Sequence, residues 1–185
     1  MLDFENQLEI YPVTDPSSIL VGYFSISGNT RKIAKQIQRL IGGDVFEIRT
    51  ISKYPINYNE LVAQAKKEIV SGAKPLLREN ITNMETYRIV FLGYPNWWNT
   101  IPAPVLTFLT ENDFTNKIIV PFCTHGGGGI GHSVTDIKKQ LPEAKMLATF
   151  SINGSYVKES NSEVLDWIGK LKNSIYALFK LNAEE

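Results

Sequence analysis

Short apolar runs alternate along the chain with stretches whose apolar residues recur at helical spacing, the sequence sign of a parallel sheet covered on both faces. The first run covers residues 19–24 and ends in a Ser/Gly turn. Behind it Ile33, Ile37, Leu40 and Ile41 share one helical face and Gly42-Gly43 supplies the stop, which predicts a helix over 30–41. Residues 44–48 read as a second strand. Val62, Ala65 and Ile69 predict a second helix, with Asn57 and Glu60 at the spacing of a capping pair and Gly72 at its end. Arg88-Ile89-Val90-Phe91-Leu92-Gly93 is almost unbroken, as in a strand buried on both faces, and predicts a third, central strand. A short helix follows that buries Val105, Phe108 and Leu109. The next run, residues 118–123, contains Pro121, whose missing ladder donor argues against regular pairing there. Ile130, Val134, Ile137 and Leu141 mark another helix and residues 146–152 a fifth strand. Ser160 and Glu163 stand at capping-box spacing before Val164, Leu165, Ile168, Leu171, Ile175, Leu178 and Phe179 on one face of a closing helix. Residues 19–181 therefore read as one α/β domain, and residues 1–18 as an N-terminal arm or, over 8–13, an extra edge strand.

Composition narrows the function classes. A length of 185 residues, 43% hydrophobic and 21% charged, suits one domain with a full-sized core. Lys+Arg and Asp+Glu both number 19, so no whole-chain field favours nucleic acid or an anionic membrane. The single cysteine, Cys123, excludes an intramolecular disulfide and any multi-cysteine zinc or iron–sulfur centre. Asp3 and Glu5 stand where a secretory signal would be basic, and no apolar run approaches the ~20 residues that a bilayer demands. The expectation is a soluble cytoplasmic protein without nucleic-acid or membrane partners.

In an open parallel sheet, ligands bind beyond the carboxyl ends of the strands. After the first strand come Ser25-Ile26-Ser27-Gly28-Asn29-Thr30, hydroxyls and a glycine at the positive end of a helix dipole. They form either an anion cradle or an ordinary polar helix cap. The loop is not a Walker loop, since Gly-Lys-Ser/Thr is absent. Arg31 and Lys32 oppose the dipole unless an anion sits there too. After the third strand come Tyr94-Pro95-Asn96-Trp97-Trp98-Asn99, whose indoles can stack on a planar ring or plug a core or interface. Adjacent side chains in an extended loop point to opposite sides, so one tryptophan faces ligand and one faces core.

After the fourth strand come Thr124-His125-Gly126-Gly127-Gly128-Gly129-Ile130-Gly131. Glycines 126, 128 and 131 have dinucleotide-fingerprint spacing, but no acidic residue ends the next strand, so a dinucleotide site is not expected. So many glycines suit close approach of backbone N–H groups to a ring edge that gains negative charge on reduction. His125 is a candidate general acid or a packing residue, His132 a weaker one, and Cys123 inert core. No Ser/His/Asp arrangement, strand-end carboxylate pair or metal-ligand cluster is present.

Phosphate cradle, aromatic wall and backbone-donor loop together resemble the flavodoxin family, in particular its bacterial members with Gly-Tyr-Pro-x-Trp-Trp (residues 93–98) and Phe-Cys-Thr-x-Gly-Gly (residues 122–127) loops. The resemblance covers residues 19–181. It implies a three-layer flavodoxin-like fold with a five-stranded parallel sheet in the order 2-1-3-4-5, and FMN as cofactor. It further implies that Ser25, Ser27, Gly28, Asn29 and Thr30 bind the FMN phosphate. Pro95, Asn96, Trp97 and Trp98 would line the isoalloxazine, and Thr124, His125, Gly126, Gly127, Gly128 and Gly129 would close its pyrimidine edge. Catalysis would be flavin-borne. The chain departs from those relatives in two ways: a serine usually stands where His125 is, and electron-shuttle flavodoxins are strongly acidic while this chain has formal net charge zero. The implied function is electron transfer with a redox partner protein, or NAD(P)H-dependent reduction of small acceptors such as quinones, the latter usually as a homodimer. The alternative is a non-catalytic module of the same fold that uses the Trp97-Trp98 loop to hold another protein or a second copy.

Overall fold

The computed structural model describes residues 15–181. The expectation of an extra edge strand at residues 8–13, with most of the N-terminal arm, lies outside the described residues, as do the side chains of Leu178 and Phe179. A 3-10 turn at Pro16–Ser18 leads into β1 (Ile19–Tyr23), α1 (Asn29–Ile41), β2 (Asp44–Glu47), α2 (Tyr58–Ser71), β3 (Ile89–Pro95), α3 (Ala103–Glu111), β4 (Ile118–His125), α4 (Ser133–Gln140), β5 (Lys145–Met146), β6 (Phe150–Asn153) and α5 (Asn161–Leu181). The sheet runs in the order β2-β1-β3-β4-β5, with β6 also on β4 and every pairing parallel. This is the three-layer flavodoxin-like fold.

Alternation along the central strands builds two cores, one on each side of the sheet. Ile19, Val21, Tyr23, Ile89, Phe91, Val120 and Phe122 face α1 and α5. Leu20, Phe24, Val90, Leu92, Tyr94, Ile119 and Cys123 face the side carrying α3 and α4.

The fifth strand departs from expectation: residues 146–152 do not form one strand but divide into β5 and β6, both on β4. Ile119 pairs with Met146 and Phe122 with Phe150, so Val120 and Pro121 stand opposite three residues, 147–149. That is a bulge, and Pro121 explains its position. The carbonyls of Lys117 and Ile119 accept from Lys145 N and Leu147 N on this edge, so strand alternation aims the Pro121 nitrogen at the same edge, where it has no hydrogen to give. Trp167 Nε1 donates to the Ala148 carbonyl in the bulge at 3.0 Å. On its other side β4 pairs with β3 without interruption, Leu92 opposite Pro121. A proline is tolerated in this inner strand because its missing donor faces the edge.

The helix signals hold in one case and not in the other. Asn57 Oδ1 accepts from Asn59 N and Glu60 N at 2.9 and 3.2 Å, as the capping pair predicts. Ser160 does not act through a capping box: its hydroxyl shares its one hydrogen between Gln36 Oε1 and the Val157 carbonyl, tying the start of α5 to α1. Of the apolar residues assigned inward on α2, only Ala65 is buried, and Val62 and Ile69 are half-buried.

Candidate functional site

The carboxyl ends of β1, β3, β4 and β6 open on one cleft of about 740 Å³, closed on one side by α2. In the loop after β1, Ser27 and Asn29 line the cleft. Ser25 lies behind them, its Oγ accepting from Gly28 N at 3.2 Å and Arg31 N at 3.3 Å, so this hydroxyl holds the loop against the start of α1. Thr30 is also behind the surface, 1% exposed, and its hydroxyl is hydrogen-bonded to that of Thr124 at 2.9 Å. That buried bond ties the loop after β1 to the end of β4. Arg31 does not wait for an anion: it pairs with Glu47 at the end of β2, which offsets its conflict with the helix dipole. Lys32 is exposed.

The tryptophan loop is a tight turn rather than an extended segment. Trp97 N donates to Thr100 O at 3.1 Å and Thr100 N to Trp97 O at 3.0 Å, while Trp98 and Asn99 both have positive φ, +50° and +66°. Two central residues at positive φ match a type I′ turn, which favours Asn or Gly. A tryptophan there costs about 1–2 kcal/mol of backbone strain. The surroundings hold it in place: Asn99 O accepts from His132 N at 2.7 Å, and Thr100 Oγ1 donates to Asp136 Oδ2. Gly131 makes that seat possible, because at its φ of +54° a Cβ would lie 2.3 Å from the Asn99 carbonyl oxygen. Burial pushes Asp136 up, yet hydrogen bonds from Thr100 and His132 outweigh it and keep the carboxyl below its ordinary range.

The turn divides the two indoles. Trp97 packs edge-on against Phe24 and Tyr54, ring centroids 5.4 and 5.2 Å away, and joins the core beneath the cleft. Trp98 is 46% exposed, donates from Nε1 to the Val62 carbonyl of α2 at 3.1 Å, and carries the Lys66 ammonium 4.7 Å from its ring centre. Both line the cleft, with Pro95 and Asn96.

Thr124 and His125 at the end of β4, and Gly126 and Gly128 in the loop after it, reach the cleft, whereas Gly127 and Gly129 stand back from it. Gly127 N donates to His125 Nδ1 at 3.1 Å. The Gly129 carbonyl accepts from Asn96 Nδ2 at 2.6 Å, which fixes the orientation of that amide. The other end of the amide, Asn96 Oδ1, is buried without a donor. An acceptor left so costs about 1–3 kcal/mol. Cys123, one strand residue before Thr124, is 1% exposed, and burial pushes its thiol up to about 12, in keeping with inert core. His132 lies outside the cleft, paired with Asp136.

The sequence reading missed two walls. Asn153, Gly154 and Ser155 at the end of β6 line the cleft. The strand-end rule points to them once the break in the last strand is known. Gly154 passes so close to α1 that a Cβ there would lie 2.5 Å from Asn29 Nδ2. Tyr58, Leu61, Val62 and Ala65 of α2 supply an apolar side that no motif announces. Among the described residues the cleft lining contains no Asp, Glu, Lys or Arg. Among the described residues no cluster of His, Cys, Asp and Glu could hold a metal, and no helix is long and apolar enough to cross a membrane.

A family model described as flavodoxin matches residues 18–171. A flavodoxin from Haemophilus influenzae is 32% identical over 106 residues, 54% of this chain and 47% of its own length, so the match spans about half of that relative. Among solved structures, a candidate flavoprotein from Bacteroides uniformis superposes with a TM-score of 0.73 at 26% identity, covering 84% of this chain and 99% of that one. A flavoprotein from Lactobacillus acidophilus, solved in complex with FMN, shares the fold at a TM-score of 0.63 and 19% identity, over 77% of this chain and 97% of its own.

Proposed function

The chain belongs to the flavodoxin family, the FMN proteins of this strand order, and from that premise we propose that its cleft binds FMN and serves electron transfer. The observation that carries the reading is the cleft itself, at the carboxyl ends of the strands, free of charged side chains among the described residues and walled by indoles and α2. Ser27 and Asn29, with the backbone N–H groups at the start of α1, would hold the phosphate, while Ser25 and Thr30 keep that loop in shape. Pro95, Asn96, Trp97, Trp98 and the α2 side would take the flat ring, excluding water from its faces. Thr124, His125, Gly126 and Gly128 would meet its polar edge, with Gly127 and Gly129 supporting them. FMN supplies the one- and two-electron chemistry, and the chain supplies position and electrostatics.

The finer role is reduction of small acceptors such as quinones with electrons from NAD(P)H, or carriage of electrons to a partner protein. Titration of the purified protein with FMN tests the common part, and absence of saturable binding overturns it. Anaerobic mixing of the FMN-loaded protein with NADH and NADPH separates the two roles. Rapid bleaching of the yellow absorbance assigns a reductase. No bleaching, with stepwise chemical reduction in two resolved one-electron stages, assigns a carrier.

A further inference from the structure

The cleft has an unusual electrostatic composition for a site assigned to redox chemistry. Among the described residues its lining carries no acidic or basic side chain, and His125 is the only imidazole. Each bordering element presents neutral groups: Asn29 from α1, the Tyr58 phenol from α2, Asn96 and the indoles from the turn after β3, and Asn153 and Ser155 after β6. Beyond the lining, Lys66 is held over the Trp98 ring and Arg31 is paired with Glu47. A bound group that gains negative charge therefore finds one side chain here able to become a cation near neutral pH.

The local geometry also gives this imidazole two distinct states. With the Gly127 N–H donating to Nδ1, the ring is neutral with its hydrogen on Nε2, and its Nδ1 edge is engaged by its own loop. A proton added at Nδ1 would turn that edge into a donor facing another donor, so the Gly127 N–H must leave. Gly127, at φ +128° and exposed, lies in a loop able to move, and a Cβ at Gly126 or Gly127 would meet nothing within 4 Å.

We propose that His125 takes up a proton when FMN bound in the cleft is reduced, so that the imidazolium meets the negative charge the flavin gains. This rests on the FMN reading given above. In the balanced step, two electrons from an external reductant and one proton enter the flavin, leaving it with one negative charge. One further proton from solvent enters His125 at Nδ1, where the contact to Gly127 N breaks. No bond to carbon forms or breaks in the protein.

The test is the midpoint potential of the FMN-loaded protein across about pH 5 to 8, the range in which histidine titrates, with dithionite as reductant. Wild type is compared with His125→Gln, which keeps an N–H donor without titrating there, and with His125→Ser. The expected result is one more proton taken up per two electrons in wild type than in either variant over part of that range. This steepens the wild-type slope by about 30 mV per pH unit, the two-electron value for a tenfold change. Equal slopes in all three proteins, with FMN bound in each, overturn the proposal and leave the FMN reading standing. Failure of the wild-type protein to bind FMN in the preceding titration overturns both. As a readout independent of turnover, ring-nitrogen NMR shifts of His125 are expected to report a neutral ring protonated at Nε2 in the oxidised complex and an imidazolium in the reduced one; an unchanged ring overturns the assignment.

Discussion

α5 and α2 are both amphipathic by sequence, yet they end in different circumstances. On α5, Val164, Trp167, Ile168, Leu171 and Ile175 are all buried against the sheet and α1. On α2, Ala65 is the only buried residue of the 14, while Leu61 and Val62 line the cleft half-exposed and Tyr58 is 74% exposed. An apolar stripe that the core does not cover costs free energy unless something else covers it. α5 is covered by its own protein, whereas α2 is met by Trp98 and otherwise faces the cleft. Helical periodicity reveals that a stripe exists but does not say what will cover it.

The largest effect should come from cutting into the α5 side. Ile168→Ala removes a side chain that is 2% exposed in the core on the α1 and α5 side and is expected to cost about 2–4 kcal/mol in urea unfolding. FMN affinity should be unchanged wherever the variant is folded, and a matching loss of affinity would show that the two regions are not separable. Next is Gly131→Ala, whose Cβ would lie 2.3 Å from the Asn99 carbonyl oxygen at a positive φ. It is expected to cost about 1–3 kcal/mol of stability and also to weaken FMN, because the displaced turn carries both indoles. Gly126→Ala in the same loop meets nothing within 4 Å and should stay within about 0.5 kcal/mol.

The cradle after β1 offers a finer separation. Ser27→Ala and Thr30→Ala should each weaken FMN by about 1–2 kcal/mol in a fluorescence titration. They should part in unfolding experiments: Thr30→Ala breaks the buried bond to Thr124 and loses stability as well, whereas Ser27 is exposed and its loss should leave stability alone. Unchanged FMN affinity in both variants would remove the phosphate assignment of this loop.

The strand order came from the family resemblance, but a sheet with a core on each face was legible because β1, β3 and β4 are apolar almost throughout, and such runs have few places to go but the middle of a covered sheet. Three of the four strand ends around the cleft were legible for the same reason. What escaped is set by contacts remote in sequence. Nothing near Arg31 says that Glu47 will neutralise it, and Pro121 signals irregular pairing without saying that the irregularity falls on the neighbouring edge strand. A type I′ turn centred on Trp98-Asn99 contradicts local preference and exists only because His132, Asp136 and Gly131 hold it from the next loop and helix. The Ser160 and Glu163 spacing was a true local signal overridden by Gln36 on another helix.

A small expected effect tests the comparison between the helices most directly. Val62→Ala removes two methyl groups from the cleft side of α2 and leaves the backbone carbonyl that holds the Trp98 indole. Because Val62 is only half-buried, the loss of folding stability should stay below about 1 kcal/mol. If the flavin ring covers this side, the same truncation weakens FMN binding by a few-fold, since apolar area is then buried only in the complex. Parallel urea unfolding of the FMN-free protein and FMN titration read the two terms separately. A loss above about 2 kcal/mol without any change in FMN affinity would mean that Val62 is packed like the core residues of α5. The exposed stripe of α2 would then have to be explained by something other than the cofactor.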